Sequence, residues 1–250
     1  MINLSSLNIN NKNLVIRVDM NVPIKDGVIL DSTRIKACLP TIKYALKKNA
    51  KVLLISHLGR PIEGKFEEKL SLKPVAECLS KILSLSCELI EKPESKDIFK
   101  GKSNLQVLEN IRFFEGETDN NELFSKKLAQ LADVFVMDAF GSAHRSHCST
   151  EGVSHFIDSC VGRLVEEELN SLEGILNSPV NPMLGIIGGS KISTKINILE
   201  SLLEKVDWLF VGGGIANTLH KSKGYEIGQS IVENDFLEEA KDLSLSLIHI

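Results

Sequence analysis

Short runs of branched apolar residues alternate along this chain with segments of helical period, and that rhythm limits the fold more than any other feature. Leu14 to Val18, Val52 to Ile55, Leu105 to Leu108, Val134 to Met137, Leu184 to Ile187 and Trp208 to Val211 are each four to five residues long and followed by turn-forming residues. Such runs read as strands buried on both faces, the pattern of a parallel sheet. Between them, Ile35, Leu39, Ile42 and Leu46 recur at helical spacing, as do Leu72, Val75, Leu79 and Ile82, and then Ile192, Ile196, Leu199 and Leu203. The rhythm predicts an α/β fold: doubly wound parallel sheets with helices on both faces. Pro40 interrupts the first helical pattern, which calls for a kink or a different boundary there. Asp26-Gly27 between Val22 and Val28 predicts a tight hairpin turn.

Charged Glu166 to Glu168 open a helix running to Asn177, and Ser178-Pro179-Val180-Asn181-Pro182 then punctuates before the next strand. Three segments are expected: a first α/β domain over 1–162, a connecting helix and linker over 163–180, and a second α/β unit over 181–250. The last stretch, Leu243 to Ile250, shows neither a helix stop nor a strand of clear period and reads as a cut end.

Composition narrows function by exclusion. The 250 residues carry 29 Lys plus Arg against 33 Asp plus Glu, a net charge of −4. There is therefore no global field to attract nucleic acid or an anionic membrane, and any anionic ligand must be held by local cations. No apolar stretch approaches the roughly 18 residues that span a bilayer, and Met1 to Asn10 lacks the pattern of a secretory signal. The cytoplasm is the expected compartment. Five cysteines without a CxxC pair read as reduced structural thiols, neither a disulfide framework nor a zinc site.

Ligands of open α/β sheets bind beyond the carboxyl ends of the strands. The residues found there are Asp19, Asn21 and, a loop later, Arg34; then His57, Gly59 and Arg60; then Asn110 and Arg112; then Asp138, Gly141, His144 and Arg145. Four arginines thus gather on one edge, where their planar forks suit phosphate and carboxylate oxygens. Asp19 and Asn21 add an acceptor and an amide suited to a hydroxyl on the same small polyanion. His144 and His147 read as loop-orienting residues and not metal ligands, and His155 as structural. In the second unit, Gly185 to Lys191 passes from strand to helix through Gly188-Gly189-Ser190. Read as a helix from Ile192, the next segment places Lys191 and Lys195 on one face near a positive helix end, where phosphate would relieve their repulsion. This is not a Walker A loop, because Ser190 separates Gly189 from Lys191. Gly212-Gly213-Gly214 admits a flat ring close to the backbone or marks a tight turn.

Arg17-Val-Asp19-Met-Asn21-Val-Pro23, Ser56-His57-Leu58-Gly59-Arg60-Pro61, Leu108-Glu-Asn-Ile-Arg112-Phe, Asp138-Ala-Phe-Gly-Ser-Ala-His-Arg145, Gly188-Gly189-Ser190-Lys191 with Lys195, and Gly212-Gly213-Gly214-Ile-Ala-Asn217 together, in this order, resemble phosphoglycerate kinases. The resemblance implies two Rossmann-like domains joined by a hinge helix matching Arg163 to Asn177. It also implies reversible phosphoryl transfer from 1,3-bisphosphoglycerate to ADP, giving 3-phosphoglycerate and ATP in glycolysis. By it, Asp19, Asn21, Arg34, His57, Leu58, Gly59, Arg60, Arg112 and Arg145 match substrate-binding positions. Arg34 and Lys191 match catalytic ones, and Lys195, Gly189, Gly213 and Gly214 nucleotide-binding ones. Mg2+ would arrive with ADP or ATP, with no metal site in this chain and no tightly bound organic cofactor, and the family is mostly monomeric. The family continues for on the order of 150 further residues, so the second domain is incomplete in this chain. The alternative is a catalytically silent phosphoglycerate-binding module.

Overall fold

The computed structural model describes residues 2–177 and 179–247. Packing divides the chain into two units, Met1–Asn170 and Ser171–Ile250. In the first, β1 (Asn13–Val18) leads into a hairpin of β2 (Ile24–Lys25) and β3 (Val28–Ile29), followed by β4 (Lys51–Ile55), β5 (Cys87–Ile90), β6 (Leu105–Leu108), β7 (Val134–Asp138) and β8 (Ser159–Val161). Six of these form one parallel sheet in the order β5-β6-β4-β1-β7-β8. Leu14 lies level with Val52 on one side and Val134 on the other. Strand order reverses direction around β1, which opens a crevice at the carboxyl ends of β1 and its neighbours.

Both sheet faces are buried, as the apolar runs require. Leu14, Ile16, Val18, Val52, Leu54, Val134 and Val136 face one core, shared with Ile35 of α1 (Thr33–Ala37), Ile42 and Ala45 of α2 (Leu39–Lys47), and Val75 and Leu79 of α3 (Lys73–Leu83). The alternate residues Val15, Leu53, Ile55 and Phe135 face a second core with Leu128 and Ala129 of α4 (Glu122–Ala129). Asp26 and Gly27 form the hairpin turn with φ of 50° and 75°, the positive values a two-residue turn needs. The helical pattern around Pro40 resolves as two helices. Cys38 ends α1 and begins α2, and Pro40 falls in the first turn of α2, where its missing N–H breaks no bond.

α5 (Arg163–Asn177) spans the division between the units. The second unit holds β9 (Leu184–Gly189), α6 (Ile196–Leu203), β10 (Trp208–Gly212), α7 (Gly213–Ser222) and α8 (Leu237–Leu247). Its sheet, among the described residues, is the parallel pair β9 and β10, so the second domain, expected to be incomplete, consists of this small sheet and its helices. Ile192, Leu199, Ile215, Leu219, Ala240 and Leu243 form its core. Two boundaries differ from expectation. The helix after β9 starts at Ile196, not Ile192, because residues 192–195 close a turn in which Lys195 N donates to Ile192 O at 2.8 Å. Leu243 to Leu247, where the sequence shows neither a helix stop nor a strand of clear period, belong to α8, where Ala240 and Leu243 pack into the core. Ser178 of the expected linker and residues 248–250 of the expected cut end lie outside the described residues.

Candidate functional site

The loops leaving β1, β4 and β6 are tied to one another by the residues expected to bind an anion. Arg34, from the start of α1, places Nη1 2.8 Å from Asp19 Oδ2. Asn21 N donates to Asp19 Oδ1 at 3.2 Å, and Asn21 Oδ1 accepts from Gly59 N at 3.0 Å. Arg112 Nη1 donates to Gly59 O at 2.6 Å. Gly59 has φ of +62°, and a Cβ there would stand 2.8 Å from Leu70 Cδ2, so any side chain would strain the backbone that holds Arg112 in this way. The loop after β7 comes to the same place, since a Cβ on Gly141 would lie 3.9 Å from Asp19 Oδ2.

Two strand-end residues brace the loops instead of facing a ligand. Asn110 is fully buried. It donates to Leu58 O at 2.8 Å and Leu70 O at 3.0 Å, and accepts from the amides of Leu58 and Arg112, both at 3.2 Å. Its side chain has no capacity left for a ligand. Asp138, also fully buried, accepts from Leu164 N at 3.0 Å and Val165 N at 3.4 Å and so caps the start of α5.

The cations act on one another. Burial, then Arg145 and Arg60, draw the Arg112 guanidinium below its ordinary value, with Glu117 opposing. Burial brings His57 down to about 3, with Arg17, Arg112, Arg145 and Arg34 adding to the effect. His57 is therefore a neutral imidazole at physiological pH. Among the expected residues, Arg60 and Arg34 are exposed and Arg112 and Arg145 half-buried, a field able to hold a small polyanion.

Two buried charges behind this field were not among the expected site residues. Arg17, 2% exposed on β1, donates to Val18 O at 2.6 Å and lies 3.1 Å from His57 Nδ1 through Nη2. Burial lowers it to about 10, still cationic. Glu117 accepts from Ser149 Oγ at 2.5 Å and Ser149 N at 3.0 Å. Burial pushes its carboxyl up to about 7, against the pull of Ser149 and Arg17. His147 stands 4.0 Å from Glu117, depressed by burial and then by Arg112, Arg145 and Arg17. His155 contacts Glu151 instead.

In the second unit the glycines are set by close backbone approach. Gly189 and Gly213 form a bridge between the ends of β9 and β10. A Cβ on Gly213 would meet Gly189 O at 2.8 Å, and one on Gly214 would meet Ser190 O at 2.3 Å. Gly213, with φ of +70°, makes a tight strand-to-helix turn into α7. Lys195 lays its stem over Gly189, 3.1 Å from where a Cβ would stand. Lys195 is the residue before α6 and Lys191 lies in the preceding loop, so the two do not share a helical face. An internal carboxylate already serves the turn: Glu233 accepts from Ser193 N at 2.9 Å and Ser193 Oγ at 2.8 Å. That backbone bond, with Lys191 contributing, holds Glu233 below its ordinary range.

No group of three or more His, Cys, Asp and Glu side chains is placed to hold a metal among the described residues, and none of their helices is long and apolar enough to cross a membrane. Residues 4–247 match the family model described as phosphoglycerate kinase. A phosphoglycerate kinase of Desulfovibrio desulfuricans is 47% identical over 241 residues, covering 96% of this chain and 61% of the relative. One from Coxiella burnetii is 47% identical over 243 residues, covering 95% and 61%. The solved structure of phosphoglycerate kinase from Coxiella burnetii superposes with a TM-score of 0.85 at 45% identity, over 99% of this chain and 64% of that one. The phosphoglycerate kinase structure from Pyrococcus horikoshii does so with 0.80 at 31%, over 97% and 64%. The chain thus spans about three fifths of the length of the curated relatives it matches.

Proposed function

The chain belongs to the phosphoglycerate kinase family, and from that premise we propose that its first unit binds 3-phosphoglycerate or 1,3-bisphosphoglycerate at the strand-end arginines. The observation that carries this reading is the linkage of Asn21, Gly59 and Arg112, with Arg145 and Arg60 near enough to lower the Arg112 guanidinium. Arg60, Arg112 and Arg145 take the phosphate, Asp19 and Asn21 the hydroxyl, and His57 with the Leu58-Gly59 backbone the remaining oxygens. Gly189, Lys195, Gly213 and Gly214 of the second unit take the phosphates of ADP or ATP, whose Mg2+ comes with the nucleotide as substrate.

In the transfer, the acyl phosphate P–O bond of 1,3-bisphosphoglycerate breaks and a new P–O bond forms to the terminal oxygen of ADP. The leaving carboxylate keeps the electron pair, so no general base is called for. What the protein supplies is alignment and charge neutralisation, and Arg34 and Lys191 are the groups assigned to the moving phosphoryl. The working state is a cytoplasmic monomer without nucleic-acid or membrane partners.

A second reading, favoured by coverage of only 61% to 64% of the relatives, is a module that binds phosphoglycerate without transfer. Formation of ATP from 1,3-bisphosphoglycerate and MgADP, abolished in Lys191→Ala, supports the kinase. Binding of 3-phosphoglycerate without ATP formation supports the silent module. A P-loop mechanism would instead lose nucleotide binding in that variant.

A further inference from the structure

The buried Arg17 sits against the one histidine of the anion site. Its Nη2 is 3.1 Å from His57 Nδ1, while its Nη1 donates to Val18 O at 2.6 Å and Ile55 O at 3.3 Å. A guanidinium can only donate, so the His57 nitrogen facing it must accept and cannot carry a proton. We propose that Arg17 is a positioning residue that locks His57 as the tautomer protonated on Nε2, making it a neutral hydrogen-bond donor to the bound anion. The inference rests on the phosphoglycerate reading of the site only for the identity of that anion.

The surroundings agree. The charged groups acting on His57 are Arg17, Arg112, Arg145 and Arg34, all cations. Those acting on Arg17 are Glu117 and Asp19, which favour its charge, and Arg112 and Arg145, which oppose it. His147, the other ring near this set, feels Arg112, Arg145, Arg17 and Glu63. Arg17 is itself anchored by two backbone carbonyls from β1 and β4, so the lock belongs to the sheet and not to a movable loop. A neutral donor adds direction without adding to the repulsion among the arginines. Attraction for the anion then stays with groups that do not titrate near neutrality.

The test is long-range proton–nitrogen NMR of the histidine rings in the 15N-labelled full chain, with the His57 signals assigned by their loss in His57→Gln. The expected spectrum shows His57 with a protonated Nε2 and an acceptor Nδ1, unchanged between roughly pH 5 and 8. In Arg17→Met, forms protonated on Nδ1 appear within that window. Binding of 3-phosphoglycerate weakens there by roughly tenfold, and its pH profile gains a step at the His57 titration that the parent's profile does not show. Arg17→Lys, which still donates, keeps the tautomer. A parent ring protonated on Nδ1, or one titrating near the ordinary 6.5, overturns the assignment, and that readout needs no variant to fold. A locked ring in a chain that ignores 3-phosphoglycerate overturns the substrate reading and leaves the tautomer standing; binding with a titrating ring does the reverse.

Discussion

Glu117 couples the anion site to pH through its burial. Folded, it keeps its proton up to about 7 against an ordinary 4.5. Across that window the native chain binds more proton than the unfolded one, so stability is full below it and falls as pH rises through it. The loss is on the order of 3 kcal/mol, and Glu117→Gln should remove it. His57, held down to about 3, shifts stability the opposite way over part of the same window, so the check is the difference between the two chains in urea unfolding at both ends: the variant gains on the parent at the higher pH by about that amount. An equally steep profile in both would assign the effect elsewhere. The arginines at this site were legible because strand ends are where α/β sheets bind ligands. Arg17 and Glu117 were not, since a sequence does not say which side chain lies behind another. One signal for Arg17 was present, a lone guanidinium inside the apolar run Leu14 to Val18, where a buried charge needs a reason. Asn110 and Asp138 show the converse, strand-end polar residues used up by backbone amides.

At the scale of elements, the start of α5 depends on one side chain from the neighbouring strand. Asp138 Oδ1 accepts from Leu164 N and Val165 N, and Gly162 must lack a side chain because a Cβ would fall 2.2 Å from that same oxygen. Asp138→Ala should cost about 1 to 2 kcal/mol, the usual value of a lost N-cap. Hydrogen exchange at the Leu164 and Val165 amides should quicken in that variant. Unchanged exchange would mean that the cap does not hold the helix. The six apolar runs all form strands: in β1, β4, β6 and β7 burial on both faces leaves a continuous signal, and β9 and β10 carry the same kind of run although one of their faces is exposed. β5 and β8 carry no such run, one having Glu88 in its middle and the other being only three residues long. Ile192 fits the period of α6 yet enters the core from a turn, so the sequence pattern starts that helix one turn before the structure does. With α6 starting at Ile196, Lys191 and Lys195 do not share a helical face. Glu233, forty residues away in sequence, bonds the Ser193 amide within that turn.

At the scale of the whole chain, the two units differ in how completely they bury themselves. The first has a six-stranded sheet covered on both faces. The second buries Ile187, Leu209 and Val211 against its helices and leaves Leu184, Ile186, Trp208 and Phe210 of the same two strands exposed. Trp208, the single tryptophan, is 66% exposed, so its emission should be that of an indole in water and acrylamide should quench it readily. A blue-shifted, protected tryptophan would show that this face is covered in solution, for example by a second copy. Amides of β1, β4 and β7 should be the last to exchange, and those of β9 and β10 should open earlier. The family motifs gave the order of the loops, and the length of the resemblance gave an incomplete second domain, whereas which faces of β9 and β10 stay exposed depends on the strands around them, which no local motif carries. The measurement that bears most directly on the strand-end site is calorimetric titration of 3-phosphoglycerate into the chain, beside Arg34→Ala and with glycerate as the ligand lacking phosphate. Saturable binding that requires the phosphate and weakens in Arg34→Ala is the expected result. A cooperatively folded chain that takes up no 3-phosphoglycerate would contradict the site.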